Sequence, residues 1–423
     1  MSCRVTITPV TIPALSAHSS DANGDANGDA TGDATGTGCG MRTDYAVIGG
    51  GLAGMAVAYH LARDGGADVV VLEQGEINAA ASGNNSGSIH AQIPVEPFLN
   101  QGEAWARRFA PTLHLMMAGI ARWHELPLEL DAPEMEVSAK GGVVVARHPT
   151  EMDMLRRKSA IERSEGLDTR LLDRDELRAL APYLADDAIG GAFCPIEGKA
   201  NPLTATIAFA RAAVVQGVRI RRHTAATGMQ RDGDGWLVAT AAGPVRARRV
   251  VNCAGAAAGE VAAWVGVDLP IEAHPIQVTV TERAAPLIPH LVYSAADRLS
   301  LKQTRQGSII IGGGWPARLH PGTGRPVVSM ESLIPNLRLA IAAVPAVARL
   351  RVVRSWAAIV NGTQDWRPIL GEIPGAEGVF LCFFPWMGFT AGPHVARLVA
   401  QLALGRGPAV AREIAAFTPG ATA

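Results

Sequence analysis

The order of apolar and polar positions predicts alternating strands and helices from residue 44 onward. Residues 45–48 and 69–72 are short apolar runs, as expected of parallel strands that are buried on both faces. Between residues 100 and 130, apolar side chains recur mostly at steps of three and four, which predicts helix. Residues 250–255 form another apolar run that predicts a strand, and a last helix is predicted to begin at Gly388.

The middle of the chain is richer in strand patterns than either end. Residues 277–281 alternate with β-branched side chains, and residues 308–311 form a short apolar run before three glycines. This order predicts an α/β lobe that is interrupted by an antiparallel sheet lobe. The predicted division gives residues 41–130, 195–270 and 350–410 to the first lobe, residues 131–194 and 271–349 to the second, and residues 1–40 to a tail.

Composition narrows the function classes. The chain has 423 residues, of which 48% are apolar, and its formal net charge is −1 without a long basic run, so nucleic-acid binding is not expected. Its five cysteines are scattered without a C-x-x-C pair, which predicts no metal site, no disulfide framework and a cytoplasmic location. No apolar run approaches the roughly 18 residues that span a bilayer. Residues 19–40 repeat Asp, Ala, Asn, Thr and Gly, which predicts a disordered tail before a fold that begins near Met41.

A glycine-rich turn is the most specific motif in the chain. Residues 49–54 read GGGLAG between the first predicted strand and a helix, and Glu73 ends the second strand. In such turns glycines allow a sharp turn, let a pyrophosphate approach the backbone, and let the helix pack on the strand. The helix N-terminus attracts phosphate, and the acidic residue accepts hydrogen bonds from a ribose. The motif therefore predicts a dinucleotide site.

Four further segments extend this pattern. Residues 81–87 read ASGNNSG, residues 250–259 form a strand that ends in small side chains, and residues 365–371 and 387–393 read DWRPILG and MGFTAGP. With the glycine turn, these segments make the chain resemble the D-amino-acid oxidase superfamily of FAD-dependent oxidoreductases, which includes glycine oxidase, sarcosine oxidase and the opine oxidases. The resemblance extends from about Asp44 to the end of the last helix.

The resemblance implies FAD as the cofactor. It also implies an α/β fold made of a Rossmann-like FAD-binding domain with an interleaved antiparallel β-sheet substrate domain. Gly388 would place amide donors beside the pyrimidine edge of the flavin, where negative charge builds on reduction. The positions that match the family's cofactor contacts are Gly49, Gly51, Leu52, Ala53, Gly54, Glu73, Gln74, Ser82, Gly83, Asn84, Asn85, Ser86, Gly87, Ala226, Ala254, Gly255, Gly388, Phe389 and Thr390.

Two departures from the family pattern predict differences in the substrate-facing wall and in how the flavin is held. The family commonly has Gly-x-x-Gly-His-Gly before the last helix, whereas residues 383–388 read FFPWMG, so the wall that faces the substrate is expected to be reshaped. Some relatives hold the flavin through a cysteine or histidine. Cys382 lies inside a predicted strand, and His90 does not match the attached histidine, so we expect FAD to be bound without a covalent link.

The substrate side is predicted from His90 and from a set of polar and cationic residues. The run 85–91 also resembles that of 2-hydroxyglutarate dehydrogenases, in which a base near the hydroxyl is useful, although a histidine bonded to backbone fits equally well. A substrate carboxylate is best held by the planar fork of an arginine, and lysine is a further candidate. Strand alternation puts Lys302 and Gln303 on opposite faces. The substrate candidates are Lys302, Gln303 and Arg305, and Arg298, Arg354 and Arg367 are further cations in the same half of the chain.

Three functions follow from the resemblance. The leading one is oxidation of the C–N bond of an amino acid or secondary amine, of the opine or imino-acid type, by hydride transfer to FAD. The second is an FAD-dependent 2-hydroxy-acid dehydrogenase, for which His90 would be the catalytic base. The third is a flavoprotein subunit that passes electrons to an electron-accepting partner subunit.

Overall fold

The structure, a computed structural model, describes residues 41–420, and the predicted tail 1–40 lies outside these residues. Two eight-stranded sheets organise the fold. The strands are β1 (Met41–Ile48), β2 (Val69–Leu72), β3 (Ser88–Ile89), β4 (Ser138–Ala139), β5 (Gly142–Ala146), β6 (Arg170–Asp173), β7 (Gly190–Cys194), β8 (Gly198–Lys199), β9 (Arg219–Arg221), β10 (Ala226–Asp232), β11 (Gly235–Thr240), β12 (Val245–Asn252), β13 (Glu272–Arg283), β14 (Leu291–Ser294), β15 (Ser300–Gln303), β16 (Ser308–Gly312), β17 (Arg318–Leu319), β18 (Pro326–Val327), β19 (Val352–Gly362), β20 (Ile369–Glu372) and β21 (Val379–Phe383).

Helices cover and connect the sheets. They are α1 (Leu52–Gly65), α2 (Ala81–Asn84), α3 (Val95–Phe109), α4 (Thr112–Glu129), α5 (Pro149–Ser164), α6 (Arg174–Leu180), α7 (Pro202–Val215), α8 (Ala258–Ala263), α9 (Met330–Ala343), α10 (Gly388–Ala403) and α11 (Pro408–Ile414). The helical pattern predicted for residues 100–130 forms two helices, α3 and α4, and Gly102 adds a kink inside α3 with φ 74°.

The first sheet is a parallel layer with an antiparallel extension. Strands β21, β12, β1, β2 and β9 are parallel neighbours in that order. Strand β11 pairs antiparallel with the first half of β12, and β10 pairs antiparallel with β11. Helices α1 and α10 pack on it and on each other, and α7 packs on α1. The central strands are buried on both faces, which is why their sequences are nearly continuous apolar runs. The first sheet therefore has the predicted Rossmann-like arrangement.

The second sheet has the order β19-β13-β16-β15-β14-β5-β7-β6 and is antiparallel except for the β5–β14 pair. Val143, Val292 and Leu301 point to one face and form a separate core, against which Ala340 of α9 packs. Because neighbouring side chains alternate between faces, Tyr293 and Lys302 point to the other face.

One predicted domain range needs a correction. The sequence pattern assigns the range 350–410 to the FAD-binding domain, but β19 pairs with β13 along almost its whole length and so belongs to the second sheet. The remaining ranges stay predictions. A small sheet of β3, β4 and β8 lies beside the two large ones and carries the segment that follows the 81–87 loop.

Candidate active site

The turn at residues 49–54 has the geometry that its glycines predict. Gly49 has a φ of +110°, and a Cβ atom there would lie 2.5 Å from the carbonyl oxygen of Cys253. A Cβ atom on Gly54 would lie 1.9 Å from the carbonyl oxygen of Gly49. Gly51 is the N-cap of α1 and has no side chain to cap its amides, and α1 has no acidic residue in its first turn. The turn therefore requires glycine at both ends and leaves a helix N-terminus suited to phosphate.

Glu73 lies at the carboxyl end of β2, where it reaches back to the glycine turn. Its Oε2 accepts a hydrogen bond of 2.6 Å from the amide of Gly50, and its Oε1 accepts one of 2.7 Å from the amide of Gly75. Each carboxylate oxygen can accept a further hydrogen bond, as a ribose would require. Gln74 is exposed beside it, and Ala226 begins β10 nearby in a half-buried position.

The loop 81–87 folds against the glycine turn. Ser82 Oγ accepts a hydrogen bond of 3.0 Å from the amide of Leu52 in the first turn of α1, directly beside Ala53. Gly83 and Gly87 cannot carry side chains, because a Cβ atom would lie 2.1 Å from Asn78 O and 2.3 Å from Ala200 O respectively. The hydroxyl of Ser82 is thus held at the same helix N-terminus that the glycine turn presents.

The two asparagines of this loop bond its own backbone. Asn84 Nδ2 donates to Ala79 O at 2.7 Å, and Asn85 bridges Ser82 O and the amide of Gly87, both at 2.6 Å. These bonds hold the loop in shape. Ser86 Oγ instead lies 3.3 Å from Ser88 Oγ, and Ser88 in turn contacts Lys302 of the second sheet.

The other end of the chain supplies the start of α10. Its N-cap, Met387, makes no side-chain capping bond, so Gly388 and Phe389 present the first amides of the helix. Thr390 is buried, and its Oγ1 accepts a hydrogen bond of 3.1 Å from the amide of His90. Ala254 and Gly255 follow β12, and a Cβ atom on Gly255 would meet open space. Residues from both ends of the chain therefore lie close together beside the glycine turn.

The predicted change in the wall before α10 has a structural counterpart. Trp386 has a φ of 54°, in the left-handed region that bulky residues rarely adopt, and Trp366 has a φ of 65°. The two indoles stack with their centroids 4.9 Å apart, and His274 packs on the other side of Trp386 at 4.5 Å. Such backbone conformations persist only where the surroundings determine them, and they cluster at functional sites.

Lys302 is the predicted cation that the structure brings next to the segment that follows the 81–87 loop. Its side chain is 3% exposed, and its Nζ donates to Ser88 Oγ at 2.7 Å. Ser300 Oγ lies 3.2 Å from the same hydroxyl. In residues 41–420, no carboxylate lies within ion-pair distance of Lys302. Burial, and secondarily the charge of Lys199, hold the pKa of Lys302 well below its usual range.

The other substrate candidates lie elsewhere. Gln303 bonds the amides of Leu287 and Ile288 and the carbonyl of Ala285, so its amide holds a surface loop in place. Arg305 is exposed in the turn after β15. Substrate roles for Gln303 and Arg305 stay predictions that their surroundings do not support. The remaining cations have other contacts or are exposed: Arg298 pairs with Glu96 at 2.8 Å, Arg367 donates to Ala416 O at 2.6 Å, and Arg354 is exposed.

His90 lies between the start of α10, where Thr390 accepts its amide, and Lys302, whose charge acts on it. Its ring is half-buried, and its centroid is 6.0 Å from that of Tyr293. Burial, and secondarily the positive charge of Lys302, lower the pKa of His90 to about 4. The imidazole is therefore neutral at neutral pH and is a weak base.

Two residues of this region could not be predicted from local sequence. Tyr293 of β14 lies beside His90, and its buried hydroxyl has no hydrogen-bond partner among the described residues. Glu197 is fully buried and accepts hydrogen bonds from the amides of Ala91 and Gln92, at 2.7 and 2.8 Å. Alternation in residues 291–294 is a weak signal for Tyr293, and no sequence signal marks Glu197.

Comparison with known proteins agrees with this arrangement. A family model described as FAD dependent oxidoreductase matches residues 44–402. The chain belongs to this family. Its FAD is the cofactor that the glycine turn, Glu73 and the start of α10 fit. This FAD-dependent oxidoreductase is 26% identical over 358 residues to the beta subunit of sarcosine oxidase from an Arthrobacter species, covering 83% of the chain and 84% of the relative.

Two further comparisons support the family assignment. The oxidoreductase is 26% identical to an opine oxidase subunit of Rhizobium meliloti, over 86% of the chain and 94% of the relative. The crystal structure of glycine oxidase from Geobacillus kaustophilus superimposes with a TM-score of 0.75 at 26% identity, covering 89% of this chain and 98% of that one. Among residues 41–420, no cluster of side chains suited to a metal ion occurs, and no helix is long and apolar enough to cross a membrane.

Proposed function

We propose that the protein oxidises the C–N bond of an amino acid or secondary amine, of the imino-acid or opine type. The observation that supports this most directly is Lys302, a buried amine near His90 that has no carboxylate partner among the described residues. A substrate carboxylate would supply that missing charge. The similar proteins named for sarcosine, glycine and opines support the same substrate class.

Each residue near Lys302 and the start of α10 has a separate role in the proposed reaction. When bound, FAD accepts the hydride that leaves the substrate carbon. The first amides of α10, at Gly388 and Phe389, stabilise negative charge beside them. Lys302 holds the carboxylate, and neutral His90 forms part of the surface against which the amine lies. Thr390 fixes the backbone of His90 through the 3.1 Å hydrogen bond.

The oxidation of a 2-hydroxy acid has less support. Its hydroxyl must lose a proton as hydride departs, which calls for a base with a pKa near the working pH. The pKa of His90, lowered to about 4, makes it poorly suited to that role. An amine that is already neutral needs no such base, so His90 favours the C–N substrate.

A partner subunit and a cellular location are also proposed. Two of the similar proteins are named as subunits, which supports an electron-accepting partner. A cytoplasmic location is supported by the free cysteines of the described region, Cys194, Cys253 and Cys382, all of which are buried.

Purified protein tests the proposal. We expect yellow protein whose flavin moves fully into the supernatant on acid precipitation and bleaches without oxygen on addition of N-alkyl amino acids or opines. Gly51→Val should contain no flavin, because a branched side chain would fill the space beside Ser82 Oγ, which would lie 2.9 Å from a Cβ atom on residue 51. Bleaching by 2-hydroxy acids but by no amine would contradict the proposal.

A further inference from the structure

Lys302 has surroundings that stabilise an uncharged amine. Its Nζ lies 2.7 Å from Ser88 Oγ, and this hydroxyl has Ser300 Oγ at 3.2 Å and Ser86 Oγ at 3.3 Å. A hydroxyl can donate to the lone pair of a neutral amine and can equally accept from an ammonium group. The three serines therefore support both protonation states of Lys302 without favouring the charged one by an opposite charge.

The charged group near Lys302 also lowers the pKa of its amine. Lys199 lies opposite Ser88 in the β3–β8 pair, so a second cation is close to Lys302. Lys199 itself donates to Gln303 O and is attracted to Glu136. His90 and Tyr293 are the other titratable residues on this side of the sheet. His90 is neutral at neutral pH, and burial raises the pKa of Tyr293 well above its usual value, so its phenol is neutral as well. Burial and a neighbouring cation both favour loss of the Lys302 proton.

We propose that Lys302 accepts the proton of the substrate ammonium group and then, as a cation, pairs with the substrate carboxylate. This inference rests on the proposed C–N oxidation. The N–H bond of the substrate breaks, an N–H bond forms on Nζ, and no electrons are gained or lost. The substrate amine becomes neutral, as hydride loss from its carbon requires, and the new ammonium of Lys302 is balanced by the carboxylate. The total charge of the site is unchanged.

Proton uptake on ligand binding tests the first half of this proposal. Acetate, propionate and benzoate carry a carboxylate but no ammonium, so binding should draw about one proton per ligand from buffer at pH 8. Calorimetry in buffers of different ionisation enthalpy measures that number. Lys302→Met and Lys302→Arg should take up none, the first because it has no amine and the second because arginine is already charged. An N-alkyl amino acid should bind to the wild type with no net uptake.

The pH dependence of flavin bleaching without oxygen tests the second half. With Lys302 as acceptor, the bleaching rate of the wild type should be flat across several pH units below the pKa of the substrate amine. In both variants only amine that is already neutral can react, so the rate should fall about tenfold for each pH unit below that pKa. Lys302→Arg should keep a lower KM than Lys302→Met, because it still binds the carboxylate. Lys140→Met, on an exposed lysine, is the matched control and should follow the wild type.

Several results would overturn the inference. One is that the wild type binds carboxylates without taking up a proton. Another is that it binds no carboxylate although amines still bleach its flavin. A flat pH profile in Lys302→Arg would also exclude Lys302 as the acceptor. If no amine bleaches the wild type, it is the proposed function that fails, and equal flavin content in all variants keeps that failure distinct from misfolding.

Discussion

Two lysines are buried in the described part of this protein, and their partners differ. Lys158 on α5 is 0% exposed, and its Nζ lies 2.5 Å from Glu162 Oε1 and 3.4 Å from Gln92 Oε1. Lys302 on β15 is 3% exposed and bonds Ser88 Oγ. A lysine with a carboxylate inside the fold is already charge-balanced and serves the structure. A lysine that bonds a hydroxyl and has no carboxylate beside it lacks that balancing charge, and this is why we propose a ligand for Lys302.

The partners of Lys158 show what the first lysine stabilises. Glu162 Oε1 also accepts the amide of Ile93 at 2.7 Å, and Glu197 accepts the amides of Ala91 and Gln92. Three consecutive amides after His90 are therefore satisfied by two buried carboxylates. Lys158 supplies the positive charge that makes this arrangement tolerable in a dry interior.

The largest expected effect comes from breaking the charge-balanced pair. Lys158→Met leaves Glu162 buried without its cation, so the free energy of unfolding should fall by about 3–5 kcal/mol. Urea denaturation measures the change. Glu162→Gln in the same chain removes the uncompensated charge and keeps an acceptor for the amide of Ile93, so the double variant should lose less than the single one. Equal losses would show that Lys158 acts through packing alone.

Glu197 should give the next largest effect, and it should depend on pH. Burial raises its pKa from 4.5 to about 7, so the folded protein favours the protonated form. Its contribution to stability is greatest below pH 4.5, is lost as the pH rises toward 7, and is constant above that, with a total of about 3 kcal/mol. Glu197→Gln should remove this part of the pH dependence of unfolding. An unchanged difference between pH 5 and pH 8 would contradict the raised pKa.

Lys302→Met should change stability less and in the opposite direction to Lys158→Met. Because the pKa of Lys302 is lowered in the fold, the wild type is destabilised at pH 7, and this cost shrinks as the pH rises toward the ordinary pKa of lysine. Methionine has similar volume and no charge, so the variant should unfold at higher urea than the wild type at pH 7, and the difference should be smaller at pH 10. A loss of stability at pH 7 would mean that Lys302 has an ionic partner.

The same contrast explains how far sequence alone could predict this site. The glycine turn, Glu73 and the Rossmann-like strands are encoded within about 30 residues, where spacing and periodicity are informative. Lys302 meets Ser88 across 214 residues of sequence, and Glu197 meets Ala91 across 106. Such contacts depend on sheet pairing, which local patterns do not specify. In the sequence, Trp386 stands out only because it departs from the family pattern. Its left-handed backbone conformation cannot be predicted from that departure.

The smallest expected effect is that of His90→Ala, and it distinguishes the two leading reactions. His90 is neutral and is held through its backbone amide by Thr390, so its ring is not needed to keep the loop in place. With an amine substrate, proton acceptance belongs to Lys302, and the variant should lose less than about tenfold in bleaching rate. With a 2-hydroxy acid whose proton His90 must take, the loss should be about 10²–10⁴-fold. Rates measured with both substrate classes at one pH, on variants of equal flavin content, decide between these outcomes.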